Sequence, residues 1–138
     1  MSAIYALPRP LPVIAGLLLV LAADAQAQSN DLCGRPQEAA EALFERLSKV
    51  EKLPEIHRDK AYVALHDKAR DTTWTFTVAG HPAHPSAVCR RPVQEGDRLR
   101  LDMNVSCGAA EAECEKLVNA FQELNQRMLR ELEKQQKK

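Results

Sequence analysis

Two groups of residues in this chain are of types that could do chemistry. The first is the run Gly80-His81-Pro82-Ala83-His84-Pro85-Ser86. Its prolines restrict the backbone around two imidazoles three residues apart, a spacing at which both could ligate Cu²⁺ or Zn²⁺. Two ligands make only a weak site, and a third would have to come from His57, His66 or an acid. Without a metal, the run is a rigid loop whose histidines bond to backbone, or a shaped patch of His81, Pro82, His84 and Pro85 that meets a partner. The sequence favours these readings over the metal.

The second group is the four cysteines, Cys33, Cys89, Cys107 and Cys114. An even count in a small exported domain reads as a disulfide framework with three possible connectivities. Cys107–Cys114 with Cys33–Cys89 ranks first. Cys107 ends a predicted strand, Cys114 lies one to two turns into the next helix, and the Cys107-Gly108 step lets the chain turn sharply. No Cys-x-x-Cys pair is present to suggest zinc.

Other catalytic sets are poorly represented. Ser86 and Ser106 are the serines of the predicted strand region, and neither lies in a Gly-x-Ser-x-Gly elbow. Oxidised cysteines offer no thiolate nucleophile. Asp97 or Asp102 could face a histidine, as acids on any sheet could. No phosphate-cradling loop or dinucleotide fingerprint occurs, so no cofactor is expected. A hydrolase would need a site that the sequence does not display. Trp74 alternates with Phe76 and Val78, which makes it a core residue before a ligand-stacking one.

Export is the clearest expectation. Residues 1–27 read as a signal peptide: Arg9 lies in the leading segment, Leu11–Ala23 is apolar, and small-x-small cleavage sites follow at Ala23-Asp24-Ala25 and Ala25-Gln26-Ala27. Thirteen apolar-region residues are short of the ~20 that span a bilayer as a helix. The mature chain is expected to be periplasmic or secreted and not inserted in the membrane. The charges balance at 19 basic and 19 acidic residues, so there is no field to collect nucleic acid.

The elements that must position these groups are legible as periodicities. Residues 36–51 carry an apolar stripe of Ala39, Ala40, Leu43, Phe44, Leu47 and Val50 at helical spacing. Four strand-like runs follow at 61–66, 73–78, 86–93 and 98–106, the last with Leu99, Leu101, Met103 and Val105 alternating against polar residues. Pro92 suggests an edge position in the third run. Residues 109–134 read as a long helix striped by Cys114, Leu117, Phe121, Leu124, Met128 and Leu132. The expected fold is α+β: a helix, a four-stranded antiparallel meander, and a long C-terminal helix, with both helices on one sheet face. In domain terms, a flexible segment over 28–34 leads into one domain over 35–130, and a charged tail over 131–138 ends the last helix.

The string Trp74-x-Phe76-Thr77, Gly80-His81-Pro82-x-His84-Pro85-Ser86 and Cys107-Gly108-Ala109 with Cys114 resembles a group of small exported proteins of Gram-negative bacteria over roughly residues 60–130. The resemblance implies export and a single α+β domain, and it implies no activity. Element order alone resembles the cystatin-like arrangement. The leading functional expectation is a non-enzymatic binding or accessory module acting on another envelope protein. It would act through the sheet's polar face or the His-Pro loop.

Overall fold

The computed structural model describes residues 31–137, so the expected signal peptide lies outside the described residues. The chain is α+β, opening on a short hairpin and closing on a long helix. β1 (Asp31–Leu32) and β2 (Arg35–Pro36) form that hairpin. Helix α1 (Ala40–Glu45) continues as a π-helical segment over Arg46–Val50. Then come β3 (Glu55–Arg58), β4 (Tyr62–Asp67), β5 (Thr72–Thr77), β6 (Ser86–Glu95), β7 (Arg98–Cys107) and helix α2 (Glu111–Gln136). Strands β3 to β7 make one five-stranded antiparallel sheet in sequence order. No described helix is long and apolar enough to cross a membrane.

Two expectations at the start of the domain are corrected. Residues 31–34, expected to be flexible, form half of the β1–β2 hairpin, with Leu32 and Cys33 buried. Leu32 joins the main core, and Cys33 is tied to Cys89 across 56 residues. The first helix starts at Ala40, four residues after the expected start at 36, because Arg35–Pro36 is spent on the hairpin. The helix then widens where the Ser48 hydroxyl donates to the Phe44 carbonyl and competes with the backbone ladder. Leu43 and Leu47, four residues apart on one face, are both fully buried.

The sheet has five strands where four were expected. β3 escaped because Glu-Ile-His-Arg has a single apolar residue and all four side chains are exposed, so no alternation marks it. Pro92 lies on an internal strand, yet β5 pairs with β6 only as far as Arg90. Beyond Arg90 the β6–β7 hairpin continues with β6 open on one side, and Pro92 falls there.

The larger correction concerns the faces. The helices lie on opposite faces of the sheet, not on one. The register pairs Leu65 with Trp74, Trp74 with Cys89, and Cys89 with Asn104. Trp74 and Phe76 therefore share a face with the polar residues of β7. That face packs against Leu32, Leu43 and Leu47. The apolar row of β7 looks the other way, where Met103 and Val105 join Val88, Leu117 and Phe121 beneath α2. The two tertiary layers thus bury both sides, and Thr75, on the face opposite Trp74, is buried as well. Leu99, Leu101 and Met103, the alternating apolar row of β7, are only half-buried, because α2 is a single helix laid along one side of a long hairpin.

Candidate functional site

The His-Pro loop joins β5 to β6 and closes one end of the sheet. Gly80 takes a positive φ of 97°, a conformation that glycine adopts without steric cost. The backbone then folds on itself, with the His81 N–H donating to the Val78 carbonyl at 3.1 Å and the His84 N–H to the His81 carbonyl at 2.9 Å. Thr77 locks the exit, since its hydroxyl accepts the Ser86 N–H at 2.8 Å. The Pro85 carbonyl accepts the Gly108 N–H at 2.8 Å, which joins the loop to the β7–α2 connection. A Cβ on Gly108 would come within 3.2 Å of the Pro85 ring, so only glycine gives that approach without a shift.

The two imidazoles turn to opposite sides of the sheet. His81 packs on Tyr62 with ring centroids 5.0 Å apart, and Tyr62 meets Phe121 of α2 edge-on at 5.7 Å. Its Nδ1 accepts the Ala83 N–H at 3.0 Å, which leaves the proton on Nε2 to bond the Tyr62 hydroxyl, also at 3.0 Å. Both ring nitrogens are thereby engaged. His84 instead lines a cavity on the α1 side, and its Nδ1 donates to the Thr77 carbonyl at 3.0 Å. The loop does not bring the pair together as two ligands of one ion. Of the candidate third ligands, His57 is exposed and held by Asp59 at 2.9 Å, and His66 lies on β4. Among the described residues no three His, Cys, Asp or Glu side chains cluster at metal-binding geometry.

The serines are likewise engaged. The buried Ser86 hydroxyl donates to the Ala83 carbonyl beside Cys107 Sγ, and the Ser106 hydroxyl donates to the Glu38 carbonyl at 2.7 Å. Asp102 pairs with Arg91 and Arg100. Cysteines pair as Cys33–Cys89 and Cys107–Cys114, the connectivity ranked first on sequence grounds, and no free cysteine occurs among the described residues.

What the loop does build is a cavity of about 260 Å³ between α1 and the sheet. Its apolar walls are Ala40 and Phe44 from the helix, Val63 and Phe76 from the sheet, and Val78 and Pro85 from the loop. Phe44 and Phe76 meet edge-on with centroids 5.0 Å apart. Polar groups border the cavity at Glu41, Glu45, Arg58 and His84. With Nδ1 protonated, the lone pair of His84 sits on Nε2. A space of this size, at the small end of ligand sites, takes one side-chain-sized apolar group. Sequence reasoning found His84 and Pro85 but not the cavity, because its walls come from α1, β4 and β5 as well as the loop. Comparisons with known protein families, with curated proteins and with solved structures find no match to this chain.

Proposed function

We propose that this chain is an exported, non-enzymatic binding module that receives an apolar side chain of an envelope partner in the cavity between α1 and the His-Pro loop. The observation that carries the reading is the cavity itself. It is walled by Phe44, Phe76, Val63, Val78 and Pro85 and held open by elements from four parts of the chain. The hydrogen bonds of Thr77, Ser86 and Gly108 fix the loop that forms its rim, so the site exists before the partner arrives and little ordering cost attends binding. Pro82 is exposed at the loop tip, and the half-buried His84 and Pro85 line the cavity, which supports a partner-facing role for this end of the loop. The disulfides suit an oxidising compartment. His81, His84 and Ser86 are engaged in hydrogen bonds that hold the loop, which favours binding over catalysis.

Titration with indole or toluene, followed by methyl resonances of Ala40, Val63 and Val78, tests the site. Saturable shifts confined to these groups are expected, together with their loss in Ala40→Leu, which fills the cavity from the helix side. Shifts that never saturate, or that survive Ala40→Leu in a folded protein, would overturn the reading.

A further inference from the structure

On the opposite face of the sheet a different set of polar groups has few partners among the described residues. His66, Thr73 and Arg90 stand side by side on β4, β5 and β6, since His66 pairs with Thr73 and Thr73 with Arg90. Neighbours in such a row have Cβ atoms about 5 Å apart, so their polar ends can converge on one small group. Arg90 is half-buried, with its guanidinium 5.3 Å over the Phe121 ring. No carboxylate among the described residues pairs with it. Its Nε is buried with no acceptor. Its terminal nitrogen has only the distant Asn125 Oδ1 and Met128 Sδ, each at 3.5 Å. The cost of desolvating this cation is visible in its pKa, which burial lowers with no anion to restore it. The Thr73 hydroxyl and the His66 ring also have no hydrogen-bond partner among the described residues. The nearest acid in sequence to this row, Asp67, faces the other side, where Arg35 and Arg70 hold it.

We infer that His66, Thr73 and Arg90 form a binding site for a monocarboxylate carried on an apolar stem. A planar carboxylate accepts two parallel N–H bonds from one guanidinium. One uncompensated cation matches one negative charge, which favours a carboxylate over a doubly charged phosphate. The stem is called for by Met128 of α2, which is 41% exposed with its Sδ 3.5 Å from the Arg90 terminal nitrogen, and by Leu132 one turn further along the helix, which is 38% exposed. The site is separate from the α1 cavity, with the sheet between them.

The test is a titration with hexanoate, acetyl-Ala-Leu carrying a free C-terminal carboxylate, hexanol and inorganic phosphate at constant ionic strength. It is followed by the Arg90 Nε–Hε resonance and the amides of His66 and Thr73. Hexanoate or the dipeptide should saturate and bind at least tenfold more tightly than hexanol. The tighter of the two carboxylates tells a free acid from a chain terminus. Arg90→Gln should abolish binding. Thr73→Val, which keeps the strand's shape, should weaken it severalfold even if Arg90→Gln fails to fold. Equal binding of hexanol, tighter binding of phosphate, or shifts that do not saturate would each overturn the inference.

Discussion

At the scale of single residues, the most consequential side chain is Arg35. It is almost wholly buried, yet it bonds both Glu51 oxygens at 2.7 Å and Asp67 at 3.1 Å and lies 5.8 Å over the Trp74 ring. Arg46 and Arg70 extend the network to Glu38, Glu51 and Asp67. The Arg35 hydrogen bonds hold the Glu51 carboxyl below its ordinary range, against the upward push of burial. For Asp67 burial is the largest influence and pushes upward, but hydrogen bonds from Arg35 and Arg70 outweigh it and the pKa is lowered. Both folded-state values thus lie below the unfolded ones. The network's contribution is complete above the unfolded carboxylate pKa of about 4 and is lost as pH falls through the lower folded values. Denaturant melts between pH 7 and pH 2 should therefore show flat stability down to about pH 5 and a decline below about pH 4. Arg35→Met should cost about 3 kcal/mol at pH 7, because it strips a buried carboxylate of one partner while Arg70 remains. A loss below about 1 kcal/mol would show the network to be dispensable.

At the scale of elements, the sheet's two faces and its two disulfides make separable claims. Leu65 on β4 is 2% exposed beneath α1, so Leu65→Ala should cost roughly 2–5 kcal/mol. Leu101 of the β6–β7 hairpin is only half-buried, and Leu101→Ala should cost roughly half as much. Thermal melts of the two variants settle the order, and equal losses would mean that the far hairpin is as well covered as the centre. The disulfides differ in reach: Cys33–Cys89 spans 56 residues and Cys107–Cys114 spans 7. Chain entropy alone predicts about 4 kcal/mol for the long loop and about 2.5 for the short one. Double alanine replacement of Cys33 and Cys89 should therefore be the more damaging, and it should also release the β1–β2 hairpin from the sheet. Hydrogen exchange of the backbone amides at positions 32 and 33 reads that release directly.

At the scale of the whole molecule, a five-stranded sheet lies between two unequal coverings. One is compact: the hairpin, α1 and its π-helical continuation, stapled by a disulfide and the Arg35 network. The other is α2, a helix of 26 residues or about 39 Å, whose last turns project exposed Met128 and Leu132. The two proposed sites fall one on each side: the cavity under α1 and the cross-strand row beside α2. Export would present both to envelope partners. N-terminal analysis of the exported chain should find Gln28 or Gln26 first, and thiol labelling of the denatured, unreduced protein should find no free cysteine. A chain still beginning at Met1, or a labelled thiol, would contradict that account.

The class of elements was written in local periodicity. Trp74-Thr75-Phe76 alternates, Leu99 to Val105 alternates, and Leu117, Phe121 and Leu124 repeat at helical spacing, so strands and helices could be read one by one. The disulfide partners could be ranked because Cys107 and Cys114 sit at the junction of two such elements. Where the elements lie relative to one another is a different matter, because a strand's two faces carry no label for up or down. The tight turn at Gly96-Asp97 fixes Glu95 opposite Arg98. The longer His-Pro connection sets no register by its length alone, and it is this register that puts Trp74 on the Asn104 side rather than the Met103 side. That pairing decided that α1 and α2 cover opposite faces, turned His81 toward Tyr62 and His84 toward Phe44's cavity, and lined up His66, Thr73 and Arg90. Residues distant in sequence acquire a common site only through such pairing, so the loop's composition was visible in the sequence while the cavity and the row were decided by the tertiary structure.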